Sequence, residues 1–323
     1  MKKILAIHTG GTISMSKGVD GGVRPNQHNP IANQPIHDLN VKIENETMFN
    51  LPSPHVTPKV MLEVKERIIQ AEKDGVDGVV VTHGTDTLEE TAYFLDLTLP
   101  HHIPIVVLGA MRSSNELGSD GPHNFKTAID VALSESSKDR GVMVVMNDEI
   151  YAAQYVTKTH TTNVATFKSP LTGPIGVVNH ERPYFFQTVN DGHYQNISKV
   201  INHVYLLKAY AGMDGTLIDA IDNHQTNGLV IEGTGAGNMP PKTLPALKHL
   251  IDKHIPVVLV SRCFNGLAQD VYEYEGGGIQ LQRMGITICR GLNGQKARIK
   301  LIVGLSANLS GENLAKYMGN AIP

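Results

Sequence analysis

The chain has 323 residues, of which 41% are hydrophobic and 18% charged, a composition typical of a globular α/β protein and unlike that of a disordered one. Its 28 basic and 31 acidic residues give a net charge of −3 and form no basic block, which argues against nucleic acid as a partner. Its 2 cysteines predict neither a disulfide framework nor a cysteine-based zinc site.

The N-terminal residues predict no targeting or membrane segment. Only residues 4–7 form an apolar run before His8, too short for the core of a signal peptide. No apolar stretch reaches the roughly 18 residues that a membrane-spanning helix needs. We therefore expect a cytoplasmic protein without a membrane partner, and the length favours about two domains.

Short apolar strands alternate with helical patterns over the first half of the chain. The expected strands are residues 4–7, 79–81, 105–108 and 142–145. Thr57-Pro58, a capping residue followed by proline, predicts the start of one helix, and further helices are expected after residue 87 and after Gly121-Pro122. Unbroken strands separated by helices predict a doubly wound, largely parallel α/β sheet covered on both faces.

A polar, turn-rich stretch at residues 188–193 interrupts this alternation. Beyond it, strands are expected again at residues 203–207, 228–231 and 255–260. We therefore predict a larger N-terminal domain over residues 1–190, a linker over residues 191–212 and a smaller α/β C-terminal domain over residues 213–323.

Two glycine-containing turns end two of the expected strands. They are Thr9-Gly10-Gly11-Thr12 and Thr82-His83-Gly84-Thr85-Asp86-Thr87. Glycine allows a tight turn and a close approach to a ligand, and open α/β sheets bind ligands at the carboxyl ends of their strands. We expect the hydroxyls of Thr12 and Thr85, the Asp86 carboxylate and free backbone N–H groups to meet there. This combination suits attack on a carbonyl carbon.

Each of these residues also has a purely structural interpretation. Asp86 is a favoured helix N-cap and Glu89 follows three positions later, which is the arrangement of a capping box. Thr12 is a β-branched residue at the end of a strand. Lys158 lies in the threonine-rich segment 156–162, where a lone lysine is usually exposed; it would act as a base only if burial lowered its pKa. From these residues alone both interpretations stay open.

Residues 18–35, rich in glycine, asparagine and proline, show no periodicity and are typical of a lid over a site. We call them the lid segment. The glycine patterns match neither a phosphate-binding loop nor a dinucleotide fingerprint. The 15 histidines form no recognisable ligand set, so we expect neither a metal nor an organic cofactor.

Further motifs occur in order along nearly the whole chain. They are Gly109-Ala-Met-Arg112, Asp120-Gly-Pro122, Val156-Thr-Lys-Thr159, Gly235-Ala-Gly-Asn238 and Asn293-Gly-Gln-Lys-Ala-Arg298. Together with the two glycine turns, they resemble the bacterial L-asparaginases, and the cytoplasmic form more than the secreted one. The resemblance implies hydrolysis of L-asparagine to L-aspartate and ammonia without a cofactor. It also implies a homotetramer, a dimer of dimers with active sites shared across the dimer.

The resemblance assigns catalytic roles to matching positions. Thr12 corresponds to the nucleophile, which forms a β-acyl-enzyme. Thr85, Asp86 and Lys158 correspond to the second catalytic group, in which Thr85 helps to orient or activate the attacking species and Lys158 tunes its protonation.

Other matching positions are implied to bind the substrate. Asp86 would bind the α-ammonium group by a charge-assisted hydrogen bond, and Ser53 would contact the α-carboxylate. The backbone at Thr85 and Ala110 would surround the scissile amide. Asn238 would come from the partner subunit, so the active site would need a dimer.

The sequence departs from the secreted type at three places. No tyrosine follows the first motif in the lid segment, since the first tyrosine is Tyr93, and this leaves Arg24 and His28 as lid candidates for assisting Thr12. Pro54 stands where the secreted type has a glutamine. Tyr272 aligns best with an intersubunit glutamate. These differences bear on substrate affinity and on the preference for asparagine over glutamine.

Two other functions fit the same residues. One is a broader amidohydrolase that also acts on glutamine, or a subunit that releases ammonia for transfer-RNA amidation; such subunits carry an extra N-terminal domain, whereas the first motif here starts at residue 9. The other is a non-catalytic α/β protein that holds a small carboxylate at its helix N-termini. Release of ammonia distinguishes the two classes.

Overall fold

A computed structural model of the protein describes residues 1–33, 41–189, 194–319 and 321, with residue 33 described by its backbone alone. The chain forms two units, Met1–Tyr194 and Gln195–Pro323. Each unit has its own sheet with helices packed against it. The expected pair of α/β domains is confirmed.

In the N-terminal unit, the strands are β1 (Lys2–Gly10), β2 (Met15–Lys17), β3 (Val23–Pro25), β4 (Val41–Leu51), β5 (Gly78–Thr82), β6 (Ile105–Leu108), β7 (Val142–Met146), β8 (Glu149–Ala152), β9 (Thr157–Lys158), β10 (Phe167–Lys168), β11 (Gly176–Asn179) and β12 (Arg182–Phe185). An 8-stranded sheet has the order β12-β11-β8-β7-β6-β5-β1-β4. The strands β2 and β3 pair separately, as do β9 and β10.

The helices of this unit are α1 (Pro58–Lys73), α2 (Leu88–Thr98) and α3 (Gly121–Leu133). On one face of the sheet, Val64 of α1 and Leu95 of α2 share a core with Val81. On the other face, Phe125 of α3 packs in a core with Val80. Successive side chains of β5 thus point into opposite cores, which explains why this strand is buried along its whole length.

The centre of the sheet is parallel, because β4, β1, β5, β6 and β7 pair in the same direction. The strands β1 and β5 are direct neighbours, with His8 opposite Thr82. The carboxyl ends of β1 and β5 therefore lie side by side at the same end of the sheet. The two glycine turns follow these strand ends. This confirms the doubly wound arrangement that the alternating pattern predicts.

Two features of this unit differ from expectation. The edge formed by β8, β11 and β12 is antiparallel and was not among the predicted strands. The interpretation of Asp86 and Glu89 as a capping box is wrong. The helix α2 starts at Leu88, after Thr87, without a side-chain cap. Both carboxylates instead bond to the segment that contains Lys158.

The C-terminal unit contains the strands β13 (Val204–Lys208), β14 (Gly228–Gly233), β15 (Val257–Ser261) and β16 (Thr287–Ile288), which form a parallel sheet in that order. Its helices are α4 (Thr216–Ile221), α5 (Leu244–Asp252), α6 (Gly278–Arg283), α7 (Gly294–Ser306) and α8 (Gly311–Gly319). Leu247 of α5 and Leu281 of α6 share a core with Ile231. The strand packs closely against α7, since a Cβ on Gly228 would lie 3.0 Å from the Leu301 side chain.

The boundary between the units lies within the residues expected to form a linker. Residues 191–193 lie outside the described residues. Farther along, β13 hydrogen-bonds to β14 and so belongs to the second sheet rather than to a connecting segment. None of the described helices is long and apolar enough to cross a membrane.

Candidate active site

The two glycine turns contact each other through their backbones. A Cβ atom on Gly11 would lie 2.2 Å from the Cα atom of Gly84. Gly11 also has a φ of 86°, a conformation that residues with side chains rarely adopt. Only glycine at this position permits the contact, which brings the segments containing Thr12 and Thr85 together at the edge of the sheet.

Thr12 begins a short 3-10 turn, Thr12–Ser14, immediately after this contact. The turn is fixed on both sides. Gly11 donates its N–H to the Leu51 carbonyl at 3.0 Å, and Ser14 donates both its N–H and its hydroxyl to the Gly11 carbonyl at 2.9 Å. Thr12 itself is half-buried.

Ser53 links the strand β4 to the second glycine turn. It lies in the 3-10 turn Ser53–His55, where it is 4% exposed. Its hydroxyl accepts the Asp86 N–H at 3.2 Å, and its carbonyl accepts the Thr87 hydroxyl at 2.8 Å. A Cβ on Gly84 would lie 2.8 Å from the Ser53 Oγ. The structure thus brings three predicted site residues, Ser53, Thr85 and Asp86, into one compact cluster.

Lys158 joins this cluster from the two-residue strand β9. Its Nζ donates to the Thr85 Oγ1 at 3.0 Å and to the Asp86 Oδ1 at 2.6 Å. The lysine side chain is only 16% exposed, so the interpretation of Lys158 as a solvated surface residue is wrong. The Asp86 carboxylate is 58% exposed and remains accessible to a second cation. A lysine bonded to a threonine hydroxyl provides a route for proton transfer.

Ala110 lies in the loop after β6 and is 1% exposed. The carboxylate of Asp120 holds the next part of this loop, because it accepts the N–H groups of Met111 and Arg112 at 2.9–3.1 Å. Asn124 completes the support by donating from its amide nitrogen to the Gly109 carbonyl at 3.0 Å. This loop also packs on the second glycine turn, since a Cβ on Gly109 would lie 2.9 Å from the Thr85 Cγ2.

Two buried histidines, His83 and His8, form hydrogen bonds with residues of the second glycine turn. His83 is 1% exposed; its Nδ1 lies 2.8 Å from the Gly84 carbonyl and its Nε2 lies 2.9 Å from the Thr91 hydroxyl. Burial lowers the pKa of His83 to about 4, so the ring is neutral at pH 7 and Nδ1–H is the donor to Gly84. Burial also lowers the pKa of His8, which bonds to Thr82 and Asn45.

A cavity of about 410 Å³ adjoins the first turn, and its lining includes Gly10, Ser14 and His28. Gly10 and Ser14 lie two residues before and after Thr12. Arg24, the other lid candidate, instead forms an ion pair with Asp20 inside the β2–β3 hairpin. Residues 34 and 35 of the lid segment lie outside the described residues.

Asn238 belongs to the C-terminal unit, in a turn closed by the Thr234 and Asn238 backbones. Its Oδ1 is buried and, within the described part of the chain, has no hydrogen-bond partner. Tyr272 of the same unit is 45% exposed, and its ring lies 5.5 Å from the ring of Tyr274 at an interplanar angle of 41°.

The described residues contain no cluster of three or more histidine, cysteine, aspartate or glutamate side chains able to hold a metal ion. Several supporting residues were missed from sequence, among them His83, Asn124 and Glu89 in its observed role. The sequence pattern of a glutamate at the start of a helix is that of a cap, and only the contact with residues 157–158 shows its observed role.

The geometry can be compared with known proteins. A family profile described as "Asparaginase, N-terminal" matches residues 3–190, and one described as "Glutaminase/Asparaginase C-terminal domain" matches residues 203–318. The chain belongs to the asparaginase family. The resemblance drawn from the motifs is thereby confirmed, and the two matched regions fall on the two units of the structure.

Individual relatives extend over the whole chain. The L-asparaginase of Bacillus licheniformis is 33% identical and aligns over 96% of this chain and 97% of its own length. A probable L-asparaginase of Deinococcus radiodurans is 39% identical over 100% of this chain and 98% of its own. The crystal structure of a probable cytoplasmic L-asparaginase from Campylobacter jejuni superposes with a TM-score of 0.86 at 31% identity, and the match covers 98% of this chain and 99% of that one.

Within the asparaginase family match, the candidate residues divide between the two family domains. Thr12, Thr85 and Lys158 lie in the N-terminal domain together with their supporting contacts, whereas Asn238 lies in the C-terminal domain. The amidohydrolase class of the enzyme follows from the family.

Proposed function

We propose that this asparaginase hydrolyses L-asparagine to L-aspartate and ammonia through an acyl-enzyme on Thr12. The observation that carries the proposal is the bonding of Lys158 to both Thr85 and Asp86, on a turn in backbone contact with the Thr12 turn. Two hydroxyls, a lysine and a carboxylate at one edge of a parallel sheet suit acyl transfer better than simple binding of a carboxylate.

In the proposed reaction, the Thr12 Oγ attacks the side-chain carbonyl carbon of asparagine. A carbon–oxygen bond forms, the carbon–nitrogen bond breaks, and the nitrogen leaves as ammonia after taking up a proton. Water then attacks the ester, which releases aspartate and restores the Thr12 hydroxyl. Lys158 and Thr85 form the proton-transfer pair that serves the attacking species, and Lys158 also sets the protonation of that pair.

Substrate binding follows from the same cluster. The exposed Asp86 carboxylate binds the α-ammonium group, and Ser53 contacts the α-carboxylate. The backbone at Thr85 and Ala110 surrounds the scissile amide, where fixed dipoles stabilise developing charge. The hydrogen bonds of Asp120 to the loop after Ala110 support this placement.

Ammonia release tests the proposal directly. Purified protein should liberate ammonia from L-asparagine, and Thr12→Ala and Thr85→Ala should each lower the rate by at least about 100-fold. Thr161→Ala, which removes an exposed hydroxyl, is the matched control and should keep the wild-type rate. A steady-state comparison with glutamine separates a dedicated asparaginase from a glutaminase-asparaginase. A folded protein that releases ammonia from neither substrate would instead be a carboxylate-binding protein.

We further propose a cytoplasmic homotetramer whose active sites are shared within each dimer. The location is supported by the likeness to the protein from Campylobacter jejuni, and the assembly with shared sites by membership of the asparaginase family. Mixing Thr12→Ala chains with Asn238→Ala chains should restore part of the activity through hybrid dimers. Size measurement by light scattering should give a tetramer. If mixing restores no activity, Asn238 is not shared between subunits.

A further inference from the structure

Glu89 is a buried carboxylate that the proposed reaction does not use. It is the second residue of α2 and is 4% exposed. Burial of a charged carboxylate is costly unless hydrogen bonds replace the lost water. Its Oε1 accepts the hydroxyl of Thr157 at 2.9 Å and the backbone N–H of Lys158 at 3.3 Å. The carboxylate therefore reaches across the fold to the strand that carries the lysine.

The backbone and the ammonium group of Lys158 are consequently both bonded to the segment that contains Thr85, Asp86 and Glu89. Its backbone is bonded to Glu89, and its ammonium group is bonded to Thr85 and Asp86. The strand β9 has only 2 residues, so its pairing with β10 constrains the lysine over a very short length. A long lysine side chain also has many rotamers, and fixing its backbone reduces the freedom of the Nζ.

We propose that Glu89 is a positioning residue, which holds the backbone of Lys158 so that the Nζ reaches Thr85. This inference rests on the function proposed above. Glu89 makes no contact with the reacting atoms in this scheme; it acts through Lys158. A displacement of the lysine by about 1 Å would lower the rate of the chemical step by about 100-fold.

The experiment measures kcat and KM for L-asparagine in Glu89→Leu, Lys158→Met and the double variant. Glu89→Leu should lower kcat about 100-fold and change KM less than about threefold, because Asp86 and Ser53 remain. In the Lys158→Met background, the same substitution should lower kcat by less than about threefold, since the residue it positions is gone. Glu89→Gln keeps an acceptor oxygen, so its kcat should be at least about tenfold higher than that of Glu89→Leu.

Two further variants separate positioning from folding. Thr98→Val removes a hydroxyl that is buried in the same helix and bonded to the Phe94 carbonyl, and it should leave kcat unchanged. Thr157→Val removes a hydroxyl that donates to Glu89 and should lower kcat by about three- to tenfold in the wild type and not in Lys158→Met. This variant carries the test if Glu89→Leu does not fold.

The outcomes are distinguishable. Equal kcat losses from Glu89→Leu or Thr157→Val in both lysine backgrounds would mean a merely structural role and overturn the inference. A folded Glu89→Leu protein with wild-type kcat would overturn it too. A wild-type protein that releases no ammonia would overturn the proposed function itself, before any variant is compared.

Discussion

Gly11 and Gly84 are in backbone contact, although 73 positions separate them in the sequence, and a Cβ on Gly11 would lie 2.2 Å from the Gly84 Cα. The parallel pairing of β1 and β5 places both turns at one edge of the sheet, and the glycines let them touch. The separation between Thr12 and the Thr85–Lys158 pair is therefore set by two residues without side chains. Side chains at these positions should therefore disturb both the site and the packing of the two turns.

Gly84→Ala should impair substrate binding and catalysis together. The added Cβ would lie 2.7 Å from the Ser53 Cβ and 3.1 Å from the Gly11 Cα, so Ser53 or the Thr12 turn must move. We expect kcat/KM to fall about 100-fold and the free energy of unfolding to fall by about 1–3 kcal/mol. Gly319→Ala, where a Cβ would meet nothing within 4 Å, is the matched control. Steady-state kinetics and urea unfolding measure both effects; wild-type kcat/KM in a folded Gly84→Ala protein would contradict this role for the contact.

Lys158→Met should lower kcat without unfolding the protein. The substitution keeps the apolar stem of the side chain and removes the ammonium group that Thr85 and Asp86 accept. We expect a loss of about 100- to 10,000-fold in kcat, the range for general acid–base groups. Lys168→Met is a close control, because Lys168 lies opposite Thr157 on β10 and forms an ion pair with Glu149 at 2.6 Å.

The control protein should keep kcat within about twofold, since partly exposed ion pairs contribute little. Similar losses in both lysine variants would show that the effect arises from the strands β9 and β10 as a whole, and the assignment of proton transfer to Lys158 would then fail.

The sequence predicts the central strands that carry the two glycine turns well. It predicts the hydrogen bonds between distant segments poorly. Residues 79–81 predict a buried strand because an unbroken run of apolar β-branched residues needs burial on both faces. This signal lies within a few neighbouring residues and can be seen in the sequence. The bond between Glu89 and residues 157–158 joins positions 68 and 69 apart, and no local pattern encodes it. The long edge strand β4 has no fully buried residue, and its exposure does not alternate strictly along Val41–Leu51, so the sequence shows no clear strand period there.

His28→Ala should lower the rate more than Arg24→Ala. His28 lines the cavity beside Gly10 and Ser14, whereas the Arg24 guanidinium is bonded to Asp20. Of the two lid candidates, His28 is the one that lines this cavity, and we propose that it assists Thr12 in place of a tyrosine. We expect about a 100-fold loss in kcat for His28→Ala and less than about a twofold loss for Arg24→Ala. Steady-state kinetics of both variants test this; a larger effect of Arg24→Ala would reverse the assignment.

The stability of the protein should decrease on mild acidification, in part because of His83. Burial lowers the pKa of this ring from 6.5 to about 4. Above pH 6.5 both folded and unfolded chains hold the ring neutral. As the pH falls from 6.5 to 4, the unfolded chain takes up a proton that the folded chain does not, so the free energy of unfolding decreases. Between pH 7 and pH 5 the loss from this residue should be about 2 kcal/mol.

Urea unfolding of the wild type and of His83→Gln at pH 7 and pH 5 isolates this contribution. The pKa of His8 is also lowered by burial, and its effect has the same sign, but it is present in both proteins and cancels in the comparison. The variant loses the hydrogen bonds to Gly84 and Thr91 and should be less stable at pH 7. Its decrease in stability between the two pH values should nevertheless be about 2 kcal/mol smaller than that of the wild type. Equal decreases in the two proteins would mean that His83 takes up its proton as readily in the folded chain as in the unfolded one.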